Sequence, residues 1–151
     1  MNELDIQMMN AAIEEAKAAA LLGEVPIGAV IAQNGVIIAR GHNLRETGKH
    51  ALAHAEIVAI DNACKALGGW RLPNCTLYVT LEPCPMCAGA IINSRIDRVV
   101  FGAYDQRAGS LGSLIDLSKV KYNHSPQLCG GVMAEECAAL LTDFFKSLRQ
   151  K

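Results

Sequence analysis

Apolar residues at Ile6, Met9, Ile13, Ala16 and Ala20 recur at steps of three and four, which predicts an amphipathic helix ending before Gly23. Two short apolar runs, Gly28 to Ala32 and Val36 to Ala39, are joined through Asn34-Gly35, the strongest short hairpin signal, and predict an antiparallel strand pair. A polar loop from Gly41 to about Ala53 follows. Ile57, Ile60, Cys64 and Leu67 then mark a second helix that closes at Gly68-Gly69. From Thr76 to Leu81 the pattern alternates and turns Leu77, Val79 and Leu81 to one face of a strand. Pro83 makes a strand-to-helix corner, Cys84 to about Ser94 reads as a short helix, and Arg98 to Phe101 as the next strand. The stretch from Gly102 to Gly131 holds most of the remaining glycines and turn residues and yields no clear element. Cys137, Leu140, Leu141, Phe144 and Leu148 define a C-terminal helix. Strands alternating with helices imply a three-layer α/β domain with a mixed sheet, and the absence of a repeat or linker makes residues 1–151 one domain.

Composition narrows the function classes. With 51% hydrophobic residues the chain can bury a core without disulfide staples. The 14 basic and 15 acidic residues leave a net charge of −1, so a nucleic acid has to be met by a local basic patch. Aromatic residues, at 5%, are too few for a broad stacking platform. The first ten residues carry Glu3 and Asp5 and do not read as a secretory signal, and no apolar run approaches the ~18 residues of a membrane span. The 6 cysteines then read as thiols and ligands, and the expected location is cytoplasmic, with no membrane partner.

Candidate chemistry sits at His54-Ala55-Glu56 and Pro83-Cys84-Pro85-Met86-Cys87. One imidazole and two thiols are three zinc ligands, and a catalytic zinc, unlike a structural one, keeps a position for water. His54 and Cys84 each open a predicted helix, whose N-terminal partial charge favours thiolate. Glu56 stands where a proton shuttle beside that water is needed. A redox dithiol is the first competing reading, but it leaves His54 and Glu56 without a role. A structural zinc with Cys64, Cys75, Cys129 or His124 as fourth ligand is the second. Cys64 and Cys137 fall on apolar stripes and read as core thiols. The His-x-Glu and Pro-Cys-x-x-Cys pair is similar to the signature of zinc deaminases of nucleobases. There, zinc supplies hydroxide near neutral pH, and the glutamate moves protons from water to the ring nitrogen and the leaving ammonia.

Further stretches narrow this to a family. They are Glu24-Val25-Pro26-Ile27-Gly28-Ala29-Val30, Gly41-His42-Asn43, His54-Ala55-Glu56-Ile57, and Leu77 through Ala90. Arg98-Val99-Val100-Phe101-Gly102-Ala103, Gly109-Ser110-Leu111-Gly112-Ser113, Glu136 through Leu141 and Phe144-Phe145 continue the set. Over nearly its whole length the chain thus resembles the bacterial tRNA-specific adenosine deaminases. The resemblance implies conversion of adenosine to inosine at the wobble position of a tRNA anticodon. It also implies a three-layer α/β/α cytidine-deaminase-like fold with a mixed five-stranded sheet, one Zn2+ per subunit, and a homodimer. By position, His54, Cys84 and Cys87 match the zinc ligands and Glu56 the proton shuttle. Asn43 matches a contact to the flipped nucleoside, and Ala55 one whose backbone amide meets the base. Val25, Pro26 and Ile27 would wall the pocket, and Asp105 would lie beside the anticodon-loop backbone. Arg71, Arg107, Lys119, Lys121, Lys146, Arg149 and Lys151 are candidates for the phosphates of the anticodon stem-loop. Tyr78 and Phe101 read as core residues, and Phe144 and Phe145 straddle two faces of the last helix, so one is expected to be exposed. The chain departs from the family at His50-Ala51-Leu52-Ala53, where Asp-Pro-Thr-Ala is usual. A small-molecule guanine or cytosine deaminase, or a zinc-stabilised RNA-binding module, are the competing functions.

Overall fold

The computed structural model describes residues 2–150, so Lys151 lies outside the described residues. The elements run α1 (Glu3–Leu21), β1 (Gly28–Gln33), β2 (Val36–His42), α2 (Ala55–Leu67), β3 (Cys75–Leu81), α3 (Pro85–Asn93), β4 (Arg98–Ala103), a 3-10 turn (Leu117–Lys119), β5 (Gln127–Gly130) and α4 (Ala134–Arg149). One sheet joins the strands in the order β2-β1-β3-β4-β5. β1 is antiparallel to β2 and β3, whereas β3, β4 and β5 run parallel. Helices α2 and α3 cover one face, α1 and α4 the other. This is the mixed five-stranded, three-layer fold that the resemblance implied.

The alternation of side chains divides the core in two. Ala29, Ile31, Leu77, Val79, Val99 and Phe101 point to α2 and α3, while Val30, Ala32, Tyr78 and Val100 point to α1 and α4. The central strands are buried on both faces, so β3 has no single inward face as its pattern predicted. Leu81, expected beside Leu77 and Val79, packs instead with the α1/α4 cluster. Asn34 and Gly35 take φ of 50° and 81°, the left-handed pair that a tight type I′ hairpin needs. β2 runs past Ala39 to His42, and β4 past Phe101 to Ala103.

Helix faces are the main correction. The buried side of α1 consists of Asp5, Met8, Met9, Ala12, Ile13, Ala16 and Ala19, with Ile6 exposed. On α2 the apolar residues that seat it on the sheet are Ala55, Ala59 and Ala63, while Ile57, Ile60 and Cys64 are half-buried and Leu67 is exposed. Two strand glycines explain this. A Cβ on Gly28 would collide with the Ala12 carbonyl and the Ala16 nitrogen, and one on Gly41 would lie 2.6 Å from both the Ala55 carbonyl and the Ala59 nitrogen. Each helix backbone lies so near its strand that only small side chains fit between. The buried Asp5 carboxylate accepts two guanidinium bonds from Arg98, both 2.8 Å, and the Tyr78 hydroxyl at 3.1 Å, which ties α1 to β3 and β4.

One edge of the sheet collects the ends that matter. Gly28 at the start of β1 pairs with His42 at the end of β2, and its N–H donates to Thr80 Oγ1 at 3.1 Å. Leu81 at the end of β3 pairs with Ala103 at the end of β4. The segments 25–27, 43–54, 82–84 and 104–113 therefore converge at the carboxyl edge of the parallel strands, where open α/β sheets place their sites. Among the described residues no helix is long and apolar enough to cross a membrane.

Candidate active site

His54 is the residue preceding the first turn of α2, and Cys84 holds the same position before α3. Both have extended backbone (ψ of 154° and 175°), and neither side chain caps its own helix, which leaves imidazole and thiol free to face each other. Pro85 at the first position of α3 loses no hydrogen bond there, since its N–H would be unpaired anyway. Cys87 lies one turn further along and is fully buried. His54 Nδ1 is 3.6 Å from Cys84 Sγ and 3.5 Å from Cys87 Sγ. The three donor atoms all lie within 4.8 Å of one another. Tetrahedral zinc with ordinary Zn–N and Zn–S bonds separates a nitrogen and a sulfur donor by about 3.6 Å. The donor set thus fits zinc in both chemistry and spacing. No other described cluster of histidine, cysteine or acidic side chains groups in this way.

The donor groups and Glu56 shift one another's ionisation, and in different directions. Hydrogen bonding from Cys87, against the opposing effect of burial and helped by His54, brings the Cys84 thiol down to about 4. Cys87 is pushed up, chiefly by its bond to Cys84 and then by burial. His54 is raised, chiefly by its bond to Cys84. The Glu56 carboxyl is 4% exposed, and burial pushes it up to about 7. A cation at the three donors would draw all these groups toward deprotonation.

Two small cavities meet at His54 and Ile27. One, of about 140 Å³, is lined by Ile27, His54, Glu56, Leu81, Glu82, Cys84, Asp105 and Ala108. The other, of about 100 Å³, is lined by Val25, Ile27, Asn43, Arg45, His54 and Ala55. The sequence-derived residues Val25, Ile27, Asn43, His54, Ala55, Glu56, Cys84 and Asp105 are thus brought together, with Cys87 behind them. Pro26 is buried and lines neither cavity. Asn43 is held by its N–H to the Ile27 carbonyl at 3.1 Å, and its Oδ1 accepts the Arg45 N–H at 3.3 Å. Asp105 Oδ1 accepts the amides of Arg107 and Ala108 at 2.9 and 3.3 Å.

The alternative zinc ligands lie elsewhere. Cys75 Sγ donates to the Pro73 carbonyl at 3.4 Å, His124 Nε2 contacts the Ile96 carbonyl at 2.7 Å, and Cys64 Sγ donates to the Trp70 carbonyl at 3.8 Å. Cys137 is a core thiol as expected, whereas Cys64 is only half-buried. Of the basic candidates, Arg107 and Arg149 line a hollow of about 790 Å³ beside the site, together with Val25, Asp105 and Phe145. Arg71 stacks on Trp70 at 4.4 Å, beyond the opposite sheet edge, and Lys119, Lys121 and Lys146 are exposed. Tyr78 and Phe101 are core residues, and Phe145 is exposed while Phe144 is half-buried. His50 is a surface histidine whose Nδ1 accepts the Leu52 amide at 3.1 Å. Sequence reasoning missed Arg45 and two buried carboxylates, Glu24 and Glu82. Their one signal was a charged residue directly beside a pocket segment.

Comparison with known proteins follows the same line. The MafB19-like deaminase family matches residues 2–149. A tRNA-specific adenosine deaminase of Bacillus subtilis (strain 168) is 57% identical over 144 residues, covering 95% of this chain and 89% of the relative. A solved structure from a study of A-to-I editing by tRNA:A34 deaminases at the wobble position of transfer RNA superposes with a TM-score of 0.86 at 43% identity. It covers 89% of this chain and 99% of that one. The guanine deaminase of Nitrosomonas europaea has a TM-score of 0.76 at 26% identity, covering 92% of this chain and 83% of its own. Identity and coverage together place the chain in the family of tRNA-specific adenosine deaminases.

Proposed function

We propose that residues 1–151 form a single zinc-dependent deaminase domain that hydrolyses adenosine to inosine at the wobble position of a tRNA anticodon. The observation that carries the reading is a buried Glu56 carboxyl sharing one small cavity with His54 and Cys84 of a His-Cys-Cys donor set of zinc spacing. Identity of 57% to a tRNA-specific deaminase, against 26% to a guanine deaminase, favours RNA over a free base.

His54, Cys84 and Cys87 hold one Zn2+ per subunit, and when bound it supplies the Lewis acidity that brings water toward deprotonation at neutral pH. Glu56 accepts a proton from the attacking water as the C6–O bond forms and passes it to the ring nitrogen. It then takes the remaining proton of the new C6 hydroxyl and delivers it to the departing ammonia as C6–N breaks and the C6 carbonyl forms. Adenosine and water thereby give inosine and ammonia. A carboxyl that burial has moved toward neutrality suits both accepting and donating. Asn43 holds the nucleoside, and the Ala55 N–H, on the first turn of α2, meets the base. Val25 and Ile27 wall the pocket with Pro26 packed behind, and Asp105 meets the anticodon-loop backbone. That loop is unpaired already, so extruding its base costs little. Arg45, Arg107 and Arg149 serve the phosphates.

The chain acts as a cytoplasmic homodimer. A groove of about 530 Å³ over the outer face of α3, lined by Leu52, Ile57, Met86, Ile92, Leu117 and Tyr122 among others, suits a second copy. Purified protein given an unmodified tRNA with adenosine at the wobble position should form inosine there, while free guanine and cytosine stay unreacted. Turnover of the free bases alone would replace this reading by a small-molecule deaminase.

A further inference from the structure

Glu82 is 1% exposed and has no basic partner among the described residues, yet every acceptor position on its carboxylate is used. Oε1 accepts the Asp105 N–H at 3.1 Å and the Ser113 hydroxyl. Oε2 accepts the amides of Leu111 and Ser113 at 3.2 and 3.0 Å. A carboxylate offers about four lone-pair sites, and four donors fill them. All four come from the segment that wraps from Asp105 to Ser113. Gly109 seals the wrap, because a Cβ there would collide with the Asp105 carbonyl and with the Glu82 carboxylate itself. The Glu82 N–H in turn donates to the Ala103 carbonyl at 2.9 Å, so the carboxylate stands on the last rung between β3 and β4. Buried anionic charge compensated only by N–H and O–H dipoles is tolerable when each lone pair is met, and it then fixes the donors' backbone.

We infer that Glu82 is a positioning residue that holds Asp105, and with it Arg107, at the height of the catalytic cavity where the RNA backbone passes. The inference rests on the reading of Asp105 as an RNA contact. Glu82 does no chemistry: it acts through the loop. An amide in its place supplies acceptors on one atom only and turns two N–H bonds toward other donors. Two of the four bonds are lost while the volume is kept. Because Asp105 is assigned to the RNA backbone rather than to the reacting carbon, the loss should appear in substrate binding more than in the chemical step.

The test is steady-state deamination of a wobble-adenosine anticodon stem-loop by zinc-loaded enzyme, with metal content measured alongside. Glu82→Gln should raise KM about ten- to hundredfold and change kcat by less than about threefold, at unchanged zinc per chain. Asp105→Ala should raise KM likewise, and the double variant should be little worse than Asp105→Ala alone, since both changes remove one contact. Ser113→Ala loosens the same clamp from the loop side and should raise KM about three- to tenfold; it decides the matter if Glu82→Gln does not fold. Additive effects of Glu82→Gln and Asp105→Ala, or a KM unchanged by Ser113→Ala and Glu82→Gln, would overturn the inference and leave the deaminase reading intact. Wild-type protein that deaminates free bases only would overturn that reading first, before any variant is compared.

Discussion

Single residues decide the chemistry and much of the anchoring, and two carboxylates illustrate how differently burial can be used. Glu56 is buried with no ion pair to lysine or arginine among the described residues, and burial outweighs the nearby His54 and lifts its carboxyl to about 7. Glu56→Gln keeps size and hydrogen bonding but cannot carry the proton. It should lower turnover about 10²- to 10⁴-fold while zinc content and thermal unfolding stay close to wild type. Retained turnover in that variant would remove Glu56 from the mechanism. Asp5 is the opposite case. Hydrogen bonds and charge from Arg98, helped by Tyr78, outweigh burial and hold its carboxyl below the ordinary aspartate range. In the unfolded chain it titrates near 4, so its stabilisation is complete above about pH 4 and is lost as pH falls through the lower folded value. Thermal melts from pH 7 to 2.5 should show an acid-side loss of stability that is shallower in Asp5→Asn. At pH 7 that variant should be destabilised by about 2–4 kcal/mol, between the cost of breaking a buried pair and that of an exposed one, because Arg98 is partly in solvent.

At the level of elements, the sequence was most readable where large apolar residues or turn chemistry mark a boundary. The hairpin at Asn34-Gly35, the helix stop before Gly23 and the strand-to-helix corner at Pro83 all follow from local backbone preference. The His54-Cys84-Cys87 group, which could hold a metal, was readable because its members carry scarce chemistry at fixed spacing. The seating of α1 and α2 was not, since hydrophobic periodicity ranks residues by size whereas close approach selects smallness. Ala55 and Ala59 lie against the backbone of β2 at Gly41, Ala63 is buried on the same helix, and the larger Ile57 and Ile60 are only half-buried. β5 was hidden for a related reason. Leu128 packs with one core cluster and Cys129 with the other, so four residues at the sheet edge show no alternation, and only pairing with β4 makes them a strand. Glu24 and Glu82 escaped notice because a buried carboxylate is defined by backbone donors that no side-chain pattern records. The close seating has a consequence for the site, because α2 carries His54 and Glu56 at its start. Gly41→Ala should push α2 off the sheet, cost about 1–3 kcal/mol in urea unfolding and lower zinc occupancy together. A variant that loses stability but keeps full zinc would mean that the helix start is held independently of its seating.

For the whole molecule, α3 joins the catalytic edge to the outer groove. Its exposed side carries Met86, Gly89, Ala90 and Asn93 in the groove, and Met86 stands between Cys84 and Cys87 in the chain. Gly89 is the instructive position. A Cβ there would meet nothing within 4 Å, so this chain alone gives no reason for a glycine that costs a helix interior about 1 kcal/mol relative to alanine. The proposed second subunit, packed closely on α3, would supply that reason. Leu52 and Ile57, on either side of His54, line the same groove. In the proposed homodimer the departure at His50-Ala51-Leu52-Ala53 would put a half-exposed leucine against the second copy. Packing there would hold the segments that carry His54, Cys84 and Cys87, so association and metal retention should rise and fall together. Light scattering should give a mass about twice the 16.1 kDa of the chain, and Gly89→Arg, which puts a long charged side chain into the groove, should give the monomer. The monomeric variant should also lose zinc to a chelator faster than wild type. A Gly89→Arg protein that stays dimeric would move the interface off α3, and one that is monomeric with unchanged zinc release would separate assembly from the metal site.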